Sequence, residues 1–280
     1  MEMYRGNLGL LFYKDYFLNE NRETIFVWNE QEKGVGVNES QERYGKCIEK
    51  SNQKLIGWKM KQEDIHANKH IYNKLRDEII ELKFKTTYPG LLIGSGYNHD
   101  VSADDAFKLG MEFDYTTGLP IIPASSVKGV LRSAFPSQYE GEDAESRKEY
   151  IKDILNEVGI SVDVEELELN IFEGVKDGRR MSVYNRDVFY DAVISVKENV
   201  DKQILTEDYI TPHKEELKNP TPIKFLKIAS GIQLEFRFKL TDMDGKIDKN
   251  KKKDVFKRIL LDLGIGSKTN VGYGKLLEVR

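Results

Sequence analysis

Four glycines within eleven residues near the end of the chain, Gly264-Ile265-Gly266-Ser267-Lys268-Thr269-Asn270-Val271-Gly272-Tyr273-Gly274, constrain its fold more than any other feature. Lacking Cβ atoms, such a loop can take left-handed dihedrals, and its amides can approach a flat or anionic group. Ser267, Lys268, Thr269 and Asn270 add side-chain donors. This chemistry suits a phosphate or a nucleic-acid backbone. An amphipathic helix over 251–263 precedes the loop, with Val255, Phe256, Ile259, Leu260 and Leu263 on its apolar face, and a strand over 271–279 follows. Helix, loop, strand is the reverse of a nucleotide-binding order, in which the loop follows a strand and opens a helix. An NTPase or dinucleotide site is therefore not expected. A helix C-cap accounts for Gly264 but leaves Gly266, Gly272 and Gly274 to be explained.

The chain has 280 residues, enough for one large domain or two small ones. No run reaches the roughly eighteen apolar residues of a membrane helix. The start, Met1-Glu2-Met3-Tyr4-Arg5, does not read as a signal peptide, and the single cysteine, Cys47, excludes an internal disulfide. A cytoplasmic protein is expected, with no membrane partner and no cofactor. The net charge of −4 argues against sequence-independent polyanion binding over the whole surface, though not against one basic groove.

The pattern predicts an N-terminal extension over 1–80 packed on a domain over 81–280. The extension holds an aromatic segment, residues 8–17, a loop over 29–44 and a helix over 65–80. At Glu81 the period changes to alternation: Leu82, Phe84 and Thr86 against Lys83, Lys85 and Thr87, a half-buried strand. A strand-like piece over 111–115 leads to a helix opening at Ser125-Ser126, read as N-cap residues, and ending before Pro136. Further elements are a charged surface helix over 144–158, strands over 167–172, 180–184, 188–196, 223–228 and 232–240, and a solvated lysine run over 249–253. Residues 197–222 interrupt this with charged sequence of little period, an insertion expected to be functional or mobile. The order is α+β, an antiparallel sheet with helices on one face, of the ferredoxin-like or RNA-recognition-motif kind.

Three constellations offer chemistry. The helix at 125–132 brings Ser125, Ser126, Lys128 and Arg132 beside its own N-terminal amides, a set that suits phosphate and equally an ordinary capped helix with solvated cations. Asp100, Asp104 and Asp105 beside His99 suit Mg²⁺ or acid-base work on RNA, or plain turn formation. His66 and His70 stand four apart without a nearby third ligand.

Together these segments resemble a known family. Gly94-Ser95-Gly96, Thr117-Gly118-Leu119-Pro120-Ile121-Ile122-Pro123-Ala124-Ser125-Ser126-Val127-Lys128-Gly129-Val130-Leu131-Arg132 and the glycine loop are similar to the RAMP (repeat-associated mysterious protein) superfamily of CRISPR systems. Asn7-Leu8-Gly9-Leu10-Leu11-Phe12-Tyr13-Lys14, Phe189-Tyr190-Asp191-Ala192 and Thr211-Pro212-His213 resemble, more narrowly, the family of sixth RAMP subunits of the Cmr, or type III-B, effector complexes. Ala124 departs from the family's helix motif, which opens on glycine.

The resemblance implies a single modified ferredoxin-like domain with an inserted hairpin, or thumb, around 197–222. It implies a non-catalytic backbone subunit holding the CRISPR guide RNA near its 3′ end, in a complex that degrades target RNA in antiviral defence. Its expected partners are guide RNA, target RNA, the other RAMP subunits and the small helical subunit. Carried over residue by residue, the RNA contacts are Ser125, Ser126, Lys128, Arg132, Gly266, Ser267, Lys268 and Thr269, with no catalytic or metal-binding residue. Two other readings stay open: a metal-dependent endoribonuclease using Asp100, Asp104 or Asp105 with His99, and a protein scaffold docking a neighbour through the aromatic N-terminal segment.

Overall fold

The computed structural model describes residues 7–19, 21–22, 24, 37–61, 79–99, 105–211, 222–243 and 245–279. The 65–80 helix, with His66 and His70, lies almost wholly outside them, as do Asp100, Asp104, Pro212 and His213.

The main sheet is antiparallel, in the order β10-β1-β9-β6-β2. Its strands are β1 (Ile80–Thr86), β2 (Ile121–Ile122), β6 (Ala192–Ile194), β9 (Gln233–Lys239) and β10 (Leu276–Glu278). A further short strand, β5 (Val188–Phe189), also pairs with β9. The alternation of β1 holds: Leu82 and Phe84 are buried, Lys83 and Lys85 exposed. Phe84 and Phe236 meet edge to face across the β1–β9 pair, with ring centroids 5.5 Å apart. The opposite face of β1 and β9 carries Glu81, Lys83, Lys85, Glu235, Arg237 and Lys239. Arg237 binds Glu235 at 2.6 Å and Glu81 at 3.6 Å there. That face offers paired charges rather than the aromatic rings on which an RNA-recognition sheet stacks bases.

Helix α1 (Leu8–Tyr13) opens the described chain, followed by α2 (Val37–Gly57). The sequence read residues 29–44 as loop, yet α2 begins at Val37. The aromatic N-terminal segment is core. Leu8, Leu11, Phe12 and Tyr16 are at most 1% exposed and share one apolar cluster with Met111 and Phe113. Tyr16 donates to Asn52 at 2.6 Å, and Asn52 donates to the Asp105 carbonyl at 2.8 Å. Because Phe12 and Tyr16 are spent inward, they cannot dock a neighbouring subunit.

On the other flank, α3 (Ala124–Arg132), α4 (Gly141–Val158), α5 (Val164–Glu168) and α6 (Lys249–Leu263) pack on one another and on the sheet. Residues 167–172, read as a strand, are helical: Asp163 caps α5 by accepting from the Glu166 amide at 3.0 Å. Val164, Leu167 and Ile171 then fall on one buried face at helical spacing. Residues 180–184 are likewise short. Of them only Arg180 is in a strand, β4 (Arg179–Arg180), which pairs with β3 (Val175–Lys176) in a tight ribbon, and Val183–Asn185 form a helical turn.

Lys252 corrects the reading of 249–253 as a solvated run. Asp248 caps α6 through the Asn250 and Lys251 amides, so Lys252 points inward and is fully buried. Its ammonium meets Asp187 at 2.7 Å and Asn170 at 2.8 Å, while Asp187 accepts from the Thr241 amide and hydroxyl. Burial drives the Lys252 pKa down, opposed by the Asp187 charge.

Strand β8 (Ile223–Ile228), expected within the main sheet, instead pairs with β7 (Leu205–Ile210) in a separate two-stranded ribbon. Thus the 197–222 interval, charged and without obvious period, contains a strand. Its inward residue Leu205 is buried while Thr206 to Asp208 are half-buried. Among the described residues, no helix is long and apolar enough to cross a membrane.

Candidate nucleic-acid interface

The glycine loop is built from the inside out. A Cβ on Gly274 would lie 1.8 Å from the Ile265 carbonyl oxygen, and one on Gly266 would lie 2.3 Å from that of Leu92. Both residues have positive φ, 69° and 90°. These glycines are needed for backbone packing whatever the loop binds. The amides are largely spent as well: Ile265 donates to Gly274, Gly274 to Gly90, and Ser267 to Leu92, at 2.8–2.9 Å. The sequence reading assigned the glycines to ligand approach. In the structure they let two loops, 88–97 and 264–274, interlock.

What the interlocked loop presents is its tip. Lys268 sits in the left-handed region, φ 61°, and leads into a single turn, Thr269–Val271. Lys268, Asn270 and Val271 are exposed, with Ser267 and Thr269 half-buried beside them. Among the described residues Lys268 makes no ion pair. The locked backbone removes the main-chain part of the ordering cost on meeting a phosphate, leaving the lysine's own rotamers to be fixed.

The tip is braced by the β7–β8 ribbon. Tyr273 donates to Asp208 at 2.8 Å, Lys227 pairs with the same carboxylate, and the Phe225 and Tyr273 rings meet edge to face. Leu91 bridges to Ile228 beside them. Burial opposes ionisation of Asp208, but the hydrogen bonds from Lys227 and Tyr273 outweigh it and hold its carboxyl below the usual range. Burial and the Asp208 bond push Tyr273 up to about 12. Sequence reasoning missed this contact because Asp208 and Tyr273 lie in segments with no shared pattern.

The α3 residues are elsewhere. Strand β2, which leads directly into α3, is one edge of the main sheet, and β10, into which the glycine loop leads, is the other. The two sets therefore adjoin strands at opposite edges of the main sheet. Ser125 and Ser126 are not N-cap residues: the helix begins at Ala124, whose amide donates to the Asp191 carboxylate at 2.7 Å. That acid occupies the end of the helix where an anion would sit. The Ser126 and Val127 amides donate to the Pro123 carbonyl. Ala124 has no positive φ, so the missing family glycine costs nothing there. Lys128 donates to the Phe172 carbonyl at 2.8 Å, and Arg132 pairs with Glu173 at 2.7 Å. Of the predicted contacts on α3, Ser125 is the one exposed residue, with Ser126, Lys128 and Arg132 half-buried.

The acid-base constellation takes a different form. His99 is 4% exposed and stacked between Phe12 and Tyr16, with centroids 4.1 and 4.0 Å away. Its Nε2 lies 2.9 Å from the Phe12 carbonyl, which can only accept, so the proton is on Nε2. Burial lowers its pKa to about 4. Asp105 pairs with Lys224 at 3.6 Å. Among the described residues, no three His, Cys, Asp or Glu side chains are placed to hold a metal ion.

A family model described as the RAMP superfamily matches residues 83–277. The chain belongs to the RAMP superfamily. Two curated relatives are named as Cmr6 subunits of CRISPR systems. One, from Pyrococcus furiosus, is 26% identical over 82% of this chain and 78% of the relative. The other, from Saccharolobus solfataricus, is 28% identical over 97% and 80%. A cryo-EM structure of the type III-B Cmr-beta bound to cognate target RNA contains a chain of like fold. The TM-score is 0.55 and the identity 21%, covering 91% of this chain and 78% of that one.

Proposed function

We propose that this chain is a non-catalytic, guide-RNA-holding backbone subunit of a type III-B CRISPR effector complex that degrades target RNA. Membership of the RAMP superfamily and the two Cmr6 relatives support the complex and its RNA partners. The strand and helix order β1, α3, β6, β9, α6, β10, with the sheet ordered β10-β1-β9-β6, corresponds to a ferredoxin-like unit carrying β2 as an added edge strand. The residues ahead of β1 form the extension, and the insertion over 197–222, which contributes β7 to the β7–β8 ribbon, is the thumb.

The observation that carries the RNA reading is Lys268, exposed on a backbone that glycine packing holds still. With Gly266, Ser267 and Thr269 it forms the primary contact with the guide backbone, near the guide's 3′ end. Ser125, Ser126, Lys128 and Arg132 form a second contact at the far edge of the sheet, in which Lys128 and Arg132 exchange their present partners for phosphate. Contacts of this kind position an RNA without reading its sequence. Neighbouring RAMP subunits and the small helical subunit supply the remaining affinity along the same strand.

The test is RNA retention by the assembled complex against salt. Lys268→Ala is expected to lower the slope by about 0.7, one single-strand phosphate contact. An unchanged slope for Lys268→Ala combined with Lys128→Ala and Arg132→Ala overturns the reading. The endoribonuclease reading is disfavoured by His99, buried with its Nε2 already bonded, and by Asp105, paired with Lys224.

A further inference from the structure

The β3–β4 ribbon is unlike its surroundings. It closes through Asp177-Gly178, both with positive φ, 48° and 71°, the tight turn of a two-residue hairpin. Lys176 and Arg179 stand directly opposite each other in register, as do Val175 and Arg180. Opposed residues in such a pair hold their Cβ atoms roughly 5 Å apart on one face, and like charges so placed repel. Arg179 thus shares one face of the ribbon with Lys176, and Arg180 shares the other with Val175.

The rest of the segment is presented outward and held rigidly. Arg179, Arg180, Ser182, Val183, Tyr184 and Asn185 are all exposed, Tyr184 at 83%. Exposure does not come from looseness. Arg186 donates twice to the Met181 carbonyl, through Nε at 2.8 Å and NH2 at 2.6 Å. Its stem fills the space beside Gly174, where a Cβ would lie 2.4 Å from Arg186 Cδ. Met181 in turn donates to the Gly174 carbonyl at 2.8 Å, and Asn185 to that of Ser182 at 2.9 Å. Among the described residues, neither Arg179 nor Arg180 makes an ion pair.

We infer that this arm is a separate binding site for single-stranded RNA that wraps the ribbon, with Arg179 and Arg180 each taking a phosphate from opposite faces and the Tyr184 ring stacking a base. Guanidinium groups match phosphate in a two-pronged fashion, and an aromatic face accepts any base, so the site takes RNA without regard to sequence. An acidic protein segment would match the arginines but would leave Tyr184 without its stacking partner. The arm follows directly on Glu173, the partner of Arg132 on α3. The inference rests on the RNA reading above but uses different residues, and the two fail separately.

The test is salt-dependent binding of a fluorescent oligouridine by the full chain, comparing wild type, Lys268→Ala and Arg179→Ala/Arg180→Ala. The arginine variant is expected to lower the slope by about 1.4, two single-strand phosphates, and to do so equally in the Lys268→Ala background. An unchanged slope for the arginine variant overturns the arm even where Lys268→Ala lowers it. A lowered slope for the arginine variant with none for Lys268→Ala keeps the arm and removes the glycine-loop contact. A second measurement places a benzophenone amino acid at position 184 in the assembled complex. Crosslinks to RNA support the site, and crosslinks only to a neighbouring polypeptide overturn it.

Discussion

The Tyr273 hydroxyl donates to the Asp208 carboxylate at 2.8 Å, a bond that crosses from the glycine loop to the β7–β8 ribbon. Asp208 also neutralises Lys227, whose side chain is 8% exposed. Removing the carboxylate therefore does more than break one bond. Asp208→Ala is expected to cost about 2 kcal/mol by urea denaturation, because it strands a buried cation, and Tyr273→Phe about 1 kcal/mol. The carboxyl is held below its ordinary range, so its contribution is present above about pH 4 and is lost as the pH falls further. Equal losses for the two variants contradict this arrangement.

The glycines of the loop are distinguishable by what they face. Gly274→Ala forces a Cβ onto the Ile265 oxygen at positive φ and is expected to cost about 3 kcal/mol. Gly129, in α3, faces open space, and Gly129→Ala is expected to gain about 0.5–1 kcal/mol from helix propensity. Thermal denaturation of the two variants reads both signs.

Lys252 and Asp187 pair with both side chains fully buried. Lys252→Met alone leaves an uncompensated carboxylate and is expected to cost about 3–5 kcal/mol. Lys252→Met/Asp187→Asn keeps the acceptor for Thr241 and removes the charge, so most of that loss should return. A double-mutant cycle measures the coupling, and additive losses contradict it.

His99 sets an acid limit. Desolvation holds its folded pKa near 4, below the roughly 6.5 of an unfolded chain, so its contribution is complete above that value. As the pH falls from about 6.5 towards 4, the unfolded chain binds a proton that the folded chain refuses, and stability drops by up to about 1.4 kcal/mol per pH unit. Urea denaturation across that window should show the slope in the wild type and a flatter one in His99→Gln.

Much of the architecture was legible where one local pattern decides. The alternation of Leu82, Phe84 and Thr86 and the apolar stripe of α6 each report burial on one face, and both appear as read. Residues 167–172 misled because apolar residues two apart mimic a strand, while Asp163 and the spacing of Val164, Leu167 and Ile171 carry the helix. Lys252 stands three and four residues before Val255 and Phe256, so helical spacing puts it on the buried face of α6, but the sequence does not show what neutralises it there. The position of Asp187 across the fold supplies that partner. At the site, the glycine loop was visible, but its use was not, since the carbonyls of Leu92 and Ile265 that demand Gly266 and Gly274 come from chain packing. The helix at 124–132 looked like a phosphate site because the sequence does not tell that Asp191 caps it.

The central claim is that Lys268 meets guide RNA, and a photo-crosslinking residue at position 268 in the purified effector complex tests it most directly. The account predicts a crosslink to guide RNA, mapped by primer extension towards its 3′ end. Crosslinks from position 268 to protein alone, with guide RNA present in the complex, would contradict it.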